Sequence, residues 1–529
     1  MRCAPRACSR RRVPFPLAPR LAALSGWRAD LAAAALGALS AAALPPLCLV
    51  PVLLIAVPGL LALLDGATSL PVALRRGFWF GFAHHVLGLY WITNAILIQV
   101  GRYWWLVPLG VPALAAVLAP FIAVAAAAAW RARPGWRRVL VLAGAWVLAD
   151  LARQFVGTGF PWNPWGADWA MPGPLGTIFL QPAAWIGVPG LTLLTLLVAA
   201  MPALGRRGMA AGAAGLLLWA GAGVWRLSGP APRPPGVVAV IAQGNIPETA
   251  KFDMRKAVGV FDEYLALTRA GLARAGVGFP QDKPMVVWPE SASPFALAND
   301  AGARQALAET AGDATVLAGT VRWDALGQPA NSLVAVTGAG LPHYEYDKWH
   351  LVPFGEYSPS WVPVAIQLAK GGFTPGPGPQ TLHVPGVPPV GPIICYEAIF
   401  PAQVVDESDR PDWIVNVTND AWFGNSSGPR QHLAAARLRA VEEGLPLVRA
   451  ANTGISTVFD AYGREVARLG IDRTGTLVAA LPGHLPPTPF ARFGLLIPGV
   501  LAVLTVAAGA LSRKPGNVPV AEKIRRNLG

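Results

Sequence analysis

The chain has 529 residues, of which 53% are hydrophobic and only 14% charged, and it carries a formal charge of +14. Soluble domains carry roughly 25% charged residues, so this composition excludes a disordered chain and a single soluble domain and points to a membrane protein. The basic excess sits largely in short loops between apolar runs, which argues against nucleic acid as a partner.

Taken in order, apolar stretches able to cross about 30 Å of hydrocarbon at about 1.5 Å per residue are predicted near 25–43, 46–64, 77–100, 104–130, 139–157, 178–203 and 209–227. An eighth lies at 489–511. Pro45 and Pro46 divide the first long Ala/Leu run, which is read as two helices rather than one kinked helix. Arg10, Arg11 and Arg12 precede an apolar stretch as in a secretory signal, but further spans follow at once, so an uncleaved first helix is expected.

Basic residues set the expected orientation. Arg75 and Arg76, the cluster Arg131, Arg133, Arg137 and Arg138, the pair Arg206 and Arg207, and Arg513 to Arg526 all fall on the side of the Arg-rich N-terminus. Segment 158–177 carries no Lys or Arg, and Arg102 is the main exception among the alternate loops. The expected plan is therefore a cytoplasmic N-terminus (1–24), a transmembrane unit (25–227), an extracytoplasmic catalytic domain (228–488), a last transmembrane helix (489–511) and a cytoplasmic tail (512–529).

The Pro-rich stretch Gly229–Pro235 reads as a linker. After it, strands are predicted at 237–242, 285–288, 315–321, 332–336, 343–347, 390–394, 413–417, 446–450 and 456–460, with helices at 254–275, 301–311 and 430–443. Such alternation indicates an α/β fold with sheets covered by helices. Of the four cysteines, Cys3, Cys8, Cys48 and Cys395, only the last lies in this part, which excludes a disulfide within it.

Polar residues that follow apolar strands are the candidates for chemistry, because ligands gather at strand carboxyl ends in α/β folds. Glu290 ends MVVWPE, Lys348 ends HYEYDK, Cys395 ends VGPIIC, and Asn416, Asn419 and Asp420 end WIVNVTND. Singly each has a plain explanation: a Cys after an apolar run is ordinarily a small buried hydrophobe, and a lone Glu or Lys is ordinarily a surface charge. Together they describe acyl transfer through a thioester. A carboxylate accepts the thiol proton, and a Lys ammonium and the N–H after the Cys stabilise the oxyanion. No metal-ligand spacing, GxGxxG after a strand or P-loop is present, so neither metal nor nucleotide cofactor is expected. His84 and His85 lie within a predicted span, where packing is the plain explanation.

VVWPES around Glu290, YDKWHLVPFGEY around Lys348, ICYE around Cys395 and the following VNVTNDAWFG resemble the Glu-Lys-Cys triad of the nitrilase superfamily. The seven-plus-one spans, with QGNIPETAKFD and ANTGIS in order, resemble the apolipoprotein N-acyltransferase family of bacterial envelopes. The resemblance covers about residues 30 to 511. It implies a multi-pass helical membrane part, an extracytoplasmic α-β-β-α sandwich and a place in the bacterial inner membrane. It also implies a two-step reaction. Cys395 would take the sn-1 acyl chain of a phospholipid, typically phosphatidylethanolamine, and pass it to the α-amino group of a diacylglyceryl-cysteine at an apolipoprotein N-terminus. In that scheme Glu290 is the general base, Lys348 stabilises the oxyanion, and Glu356 and Glu397 support the triad. Tyr396 helps position the acyl chain, and Asn331 and Trp422 line or shape the site. Phe252 stands where the family commonly has Trp, so an aromatic face is kept and an indole donor lost.

The Gly/Pro-rich segment 371–380 reads as a mobile gate or an ordinary surface connection. The Trp-rich loop 158–169 reads as a lining of the lipid entrance or as interfacial anchors. Rival functions are a membrane-tethered amidase with water as acceptor, a transporter or lipid-binding protein with an inactive outer domain, and a polyprenol-linked transferase.

Overall fold

The computed structural model describes residues 15–248, 255–338, 342–360 and 372–511. Its first half is helical. The principal helices are Gly26–Ser40, Leu53–Asp65, Leu70–Gly88, Gly110–Arg131, Trp136–Phe155, Ala183–Ala200 and Gly205–Leu227, and Leu496–Ala510 returns to them at the end. They enclose an Ala/Leu-rich core that includes Ala33, Leu60, Phe80, Ala126, Trp146 and Ala502. Two helical runs, Gly110–Arg131 and Ala183–Leu227, are long and apolar enough by themselves to cross a membrane.

The first two predicted spans are separate helices, as read from Pro45 and Pro46. The third departs from expectation. The helix begins at Leu70, with Pro71 in its first turn, and ends at Gly88, after which short helical turns run to Leu106. Proline suits that position because its missing N–H is not needed there. Arg75 and Arg76 consequently lie on the helix rather than in a loop, and the Arg76 guanidinium is buried against the Leu63 and Leu24 carbonyls.

Beyond residue 236 two sheets form. The first contains β1 (Val237–Gln243), β2 (Lys283–Trp288), β3 (Thr315–Trp323), β4 (Pro329–Val336), β5 (Pro342–Asp347) and β11 (Gly475–Ala480), in the order β11-β1-β2-β3-β4-β5. The second contains β6 (Val390–Ile394), β7 (Trp413–Thr418), β8 (Leu447–Ala451), β9 (Ser456–Phe459) and β10 (Glu465–Leu469), in the order β10-β9-β8-β7-β6. In each sheet three neighbouring strands run parallel, β1-β2-β3 and β6-β7-β8. β10 and β11 were not anticipated from the sequence.

Alternate residues of the two sheets meet in a shared core that includes Ile241, Val287, Leu333, Val415 and Val448. The outer face of the first sheet packs on the helices Ala257–Gly278 and Ala301–Ala311 through Val240, Phe261, Trp288 and Leu307. The outer face of the second packs on the helix Gly428–Glu443 through Ile414, Leu433, Ala436 and Ala440. The result is a helix-sheet-sheet-helix sandwich.

The Gly428–Glu443 helix is covered on its other side too. Leu438 and Val441 pack with Leu180, Val188 and Trp219 of the helical part, and Gln431 accepts from the indole N–H groups of Trp91 (2.9 Å) and Trp162 (3.0 Å). Trp162, Trp165 and Trp169 are thus buried packing residues. Their burial does not fit the reading of the 158–169 loop as interfacial anchors, whereas Pro161, Trp162, Asn163 and Pro164 do line a cavity.

Candidate active site

β2 and the hairpin β4-β5 belong to the first sheet and β6 and β7 to the second, and residues just past β2, β5 and β7 meet across the two sheets through Glu290, Lys348 and Asn419. The chain turns sharply after β2, and Gly319 of β3 lets it pass: a Cβ there would lie 2.2 Å from the Pro289 carbonyl oxygen and 2.7 Å from the Glu290 Cα. Glu290 is thereby set against three donors. Its Oε1 accepts from Asn331 Nδ2 (2.7 Å) and Lys348 Nζ (3.3 Å), and its Oε2 accepts from the Asn419 main-chain N–H (2.7 Å).

Lys348, directly after β5, is only 1% exposed. Its Nζ also donates to Glu356 Oε1 at 2.9 Å, and Asn331 Nδ2 donates to the same oxygen at 2.9 Å. Glu356 is itself fixed by the Val352 N–H, 2.8 Å from Oε2. Burial alone would push the Lys348 ammonium down, but Glu290 and Glu356 outweigh it and hold it above the usual lysine range. A buried cation persists only with such partners.

Cys395 directly follows β6 and opens the tight turn Cys395–Ile399. Its φ of +50° lies in the left-handed region that non-glycine residues rarely adopt, a form of local strain that gathers at functional sites. The thiol is buried. Burial and the Glu290 charge push it well above the ordinary cysteine range, while Lys348 and a hydrogen bond from Thr418 pull the other way. The resting nucleophile is therefore a thiol that needs a base, rather than a preformed thiolate.

Glu397 anchors this turn. It is fully buried and accepts from the N–H groups of Ile394 (2.6 Å) and Trp349 (2.7 Å) and from the Tyr346 hydroxyl (2.9 Å), tying the start of the Cys395 turn to the Lys348 segment. Burial pushes its carboxyl up to about 7, against those hydrogen bonds. Tyr396 points elsewhere: its hydroxyl donates to the Gly159 carbonyl at 2.9 Å, and its ring lies edge-on to Phe400. Trp422 is half-buried on the turn Asp420–Phe423, whose Phe423 ring lies 4.5 Å from that of Trp91. Phe252 lies outside the described residues. Of the segment 371–380, residues from Gly372 onward are pinned to the site, with Phe373 N–H on the Glu356 carbonyl (3.0 Å) and Gly376 N–H on the Lys348 carbonyl (2.9 Å).

The sequence reading named Asn419 and Asp420 but missed their partners. Glu248 Oε2 accepts from Asn419 Nδ2 at 2.6 Å, so Asn419 joins it to Glu290. Behind Cys395, fully buried Asp420 meets His432 Nδ1 (2.9 Å) and Arg449 Nη2 (2.8 Å), and His432 Nε2 reaches the Cys395 carbonyl oxygen (2.8 Å). Arg449 also donates to Asn416. Burial pushes the Asp420 carboxyl up, but Arg449 and His432 prevail and hold it below the usual range.

Known proteins match both halves of the chain. Residues 36–201 match a family model described as the apolipoprotein N-acyltransferase N-terminal domain, and residues 282–485 match carbon-nitrogen hydrolase. An apolipoprotein N-acyltransferase of Rhodopseudomonas palustris is 40% identical over 523 residues, spanning 93% of this chain and 96% of its own. One from Bradyrhizobium diazoefficiens is 41% identical over 514 residues, spanning 91% and 94%. Among solved structures, an amidase from Nesterenkonia sp. is 20% identical with a TM-score of 0.35, covering 48% of this chain and 94% of its own.

Proposed function

Because the chain belongs to the apolipoprotein N-acyltransferase family, we propose that it moves an acyl chain from the sn-1 position of a phospholipid, through a thioester on Cys395, to the α-amino group of a diacylglyceryl-cysteine at an apolipoprotein N-terminus. The observation that carries this reading is the buried Lys348 ammonium clamped between Glu290 and Glu356, on the strand ends shared with a buried thiol.

In the first half-reaction Cys395 Sγ attacks the ester carbonyl while its proton passes to Glu290. The S–C bond forms, and the oxyanion is met by Lys348 Nζ and the Tyr396 main-chain N–H. Collapse breaks the ester C–O bond, and Glu290 returns the proton to the departing lysophospholipid alkoxide. In the second half-reaction the acceptor nitrogen attacks the thioester, Glu290 takes the amine proton, the C–S bond breaks, and the proton returns to sulfur. Asn331, Glu356 and Glu397 hold the three principal groups in place.

The helices within 25–227 and the one near 489–511 are read as membrane spans, with both termini cytoplasmic and residues 228–488 on the extracytoplasmic face. An acyl chain cannot leave a bilayer cheaply, since each CH₂ contributes about 0.8 kcal/mol to its retention. A site packed onto membrane helices lets both lipid substrates arrive laterally, with phosphatidylethanolamine as the expected donor. An amidase using the same triad would have no need of that platform.

Intact-mass measurement of the detergent-purified protein after exposure to phosphatidylethanolamine tests the reading, with Cys395→Ala as control. A hydroxylamine-sensitive acyl adduct on the wild type alone, stable in water until a diacylglyceryl peptide is added, is the expected result. Rapid loss of the adduct to water would instead indicate a hydrolase.

A further inference from the structure

His432 touches neither general base nor oxyanion, yet both of its ring nitrogens are engaged within the fully buried group behind Cys395. Nε2 lies 2.8 Å from the Cys395 carbonyl oxygen, which can only accept. Nδ1 lies 2.9 Å from Asp420 Oδ1. That carboxylate is ionised, because Arg449 Nη2 donates to its other oxygen at 2.8 Å. Arg449 Nη2 also approaches Nδ1 at 3.2 Å. Nε2 therefore carries the hydrogen that the Cys395 carbonyl accepts, and Asp420 and Arg449 close around Nδ1.

The carbonyl that receives Nε2–H is half of a single planar unit, whose other half is the Tyr396 N–H. Fixing one end of that plane fixes the other, and the two bonds point in opposite directions. A donor on the carbonyl oxygen also polarises the amide and strengthens its N–H as a donor, as in any hydrogen-bonded chain.

We infer that His432 is a positioning residue for acyl transfer, which acts through the Cys395–Tyr396 peptide to aim and strengthen the Tyr396 N–H as an oxyanion donor. Asp420 and Arg449 hold the ring in place, and Gly454 leaves them room: a Cβ there would lie 2.1 Å from Asp420 Oδ2. The inference rests on the acyl-transfer reading above.

Two reactions of the same sulfur separate this role from a merely structural one. Acylation by phosphatidylethanolamine passes through a tetrahedral oxyanion, whereas alkylation by iodoacetamide is a displacement at a saturated carbon and forms none. In the full-length protein, His432→Leu should slow acylation by about 10- to 100-fold, part of the loss that follows removal of an oxyanion donor outright. His432→Gln, which keeps a neutral donor, should lie between Leu and wild type. Both should alkylate within about threefold of wild type and show the acylation loss in kcat rather than KM. Parallel falls in acylation and alkylation would mean a displaced cysteine and overturn the inference, as would unchanged acylation in the Gln and Leu variants. A wild-type protein that alkylates but never acylates would remove the reading on which it rests.

Discussion

Replacing Glu290 by Gln tests the triad most sharply, because Asn331, Lys348 and Asn419 all donate to that carboxylate. Asn331 Nδ2 and Lys348 Nζ point at Oε1, and the Asn419 N–H points at Oε2. A glutamine can offer an oxygen to only one side. Whichever way it turns, its NH₂ meets another N–H at a buried position. Such an unsatisfied buried contact costs about 1–3 kcal/mol, and each kcal/mol lowers the melting midpoint of a domain of 150–250 residues by about 2–4 °C. The chemical loss is larger. Without a base, the buried thiol keeps its proton, and removing a general base slows a reaction by about 10²- to 10⁴-fold. Both effects can be read on one preparation, as the rate of acyl-adduct formation by intact mass and as the unfolding midpoint. Acylation within tenfold of wild type, at any stability, would refute the assignment of Glu290 as the base.

Lys348→Met should abolish detectable adduct and destabilise the fold by about 3–5 kcal/mol, because Glu290 and Glu356 are left facing each other without their shared cation; a well-folded, active Met variant in thermal and mass assays would contradict this. Gly319→Ala should cut acylation at least about tenfold, through overpacking that costs about 1–3 kcal/mol, since its Cβ would collide with the Pro289 carbonyl and displace Glu290; normal turnover would show that the turn can yield. The Cys395 thiol is held above its ordinary range, so the neutral form is favoured in the fold and the thiolate fraction grows with each step in pH. Iodoacetamide alkylation should therefore still be rising past about pH 9, beyond the ordinary thiol midpoint of about 8.5, and a plateau at neutral pH would disprove a resting thiol.

The sandwich was legible because its inner strands are short β-branched runs bounded by turns. VVAVIAQ, MVVW and WIVNVT could hardly be read otherwise. β10, the sequence EVARL, escaped because it is a largely solvent-exposed edge strand with no buried alternation to detect. Glu290, Lys348 and Cys395 were legible as polar residues closing apolar strands; in the fold Lys348 donates to Glu356 and Asn331 donates to Glu290. His432 was not. It sits on a helix buried on both sides, so the sequence around it lacks the one-sided apolar stripe that would have marked a buried polar residue as unusual. Arg76 was misassigned for a related reason: a basic residue was taken as a loop marker, although two carbonyls capture it within the helical part.

The two-sided burial of the Gly428–Glu443 helix also bears on modularity. Leu438 and Val441 are sealed by residues from the first half of the chain, and Gln431 is held by indoles from two of its loops. Excising residues 228–488 would uncover that seam and leave polar groups of the same helix stranded beside it. The hydrolase-like half is therefore not a cassette that can be cut out or grafted onto another anchor. A chimaera that exchanges either half should keep Trp91, Trp162, Val188 and the Gly428–Glu443 helix from one parent.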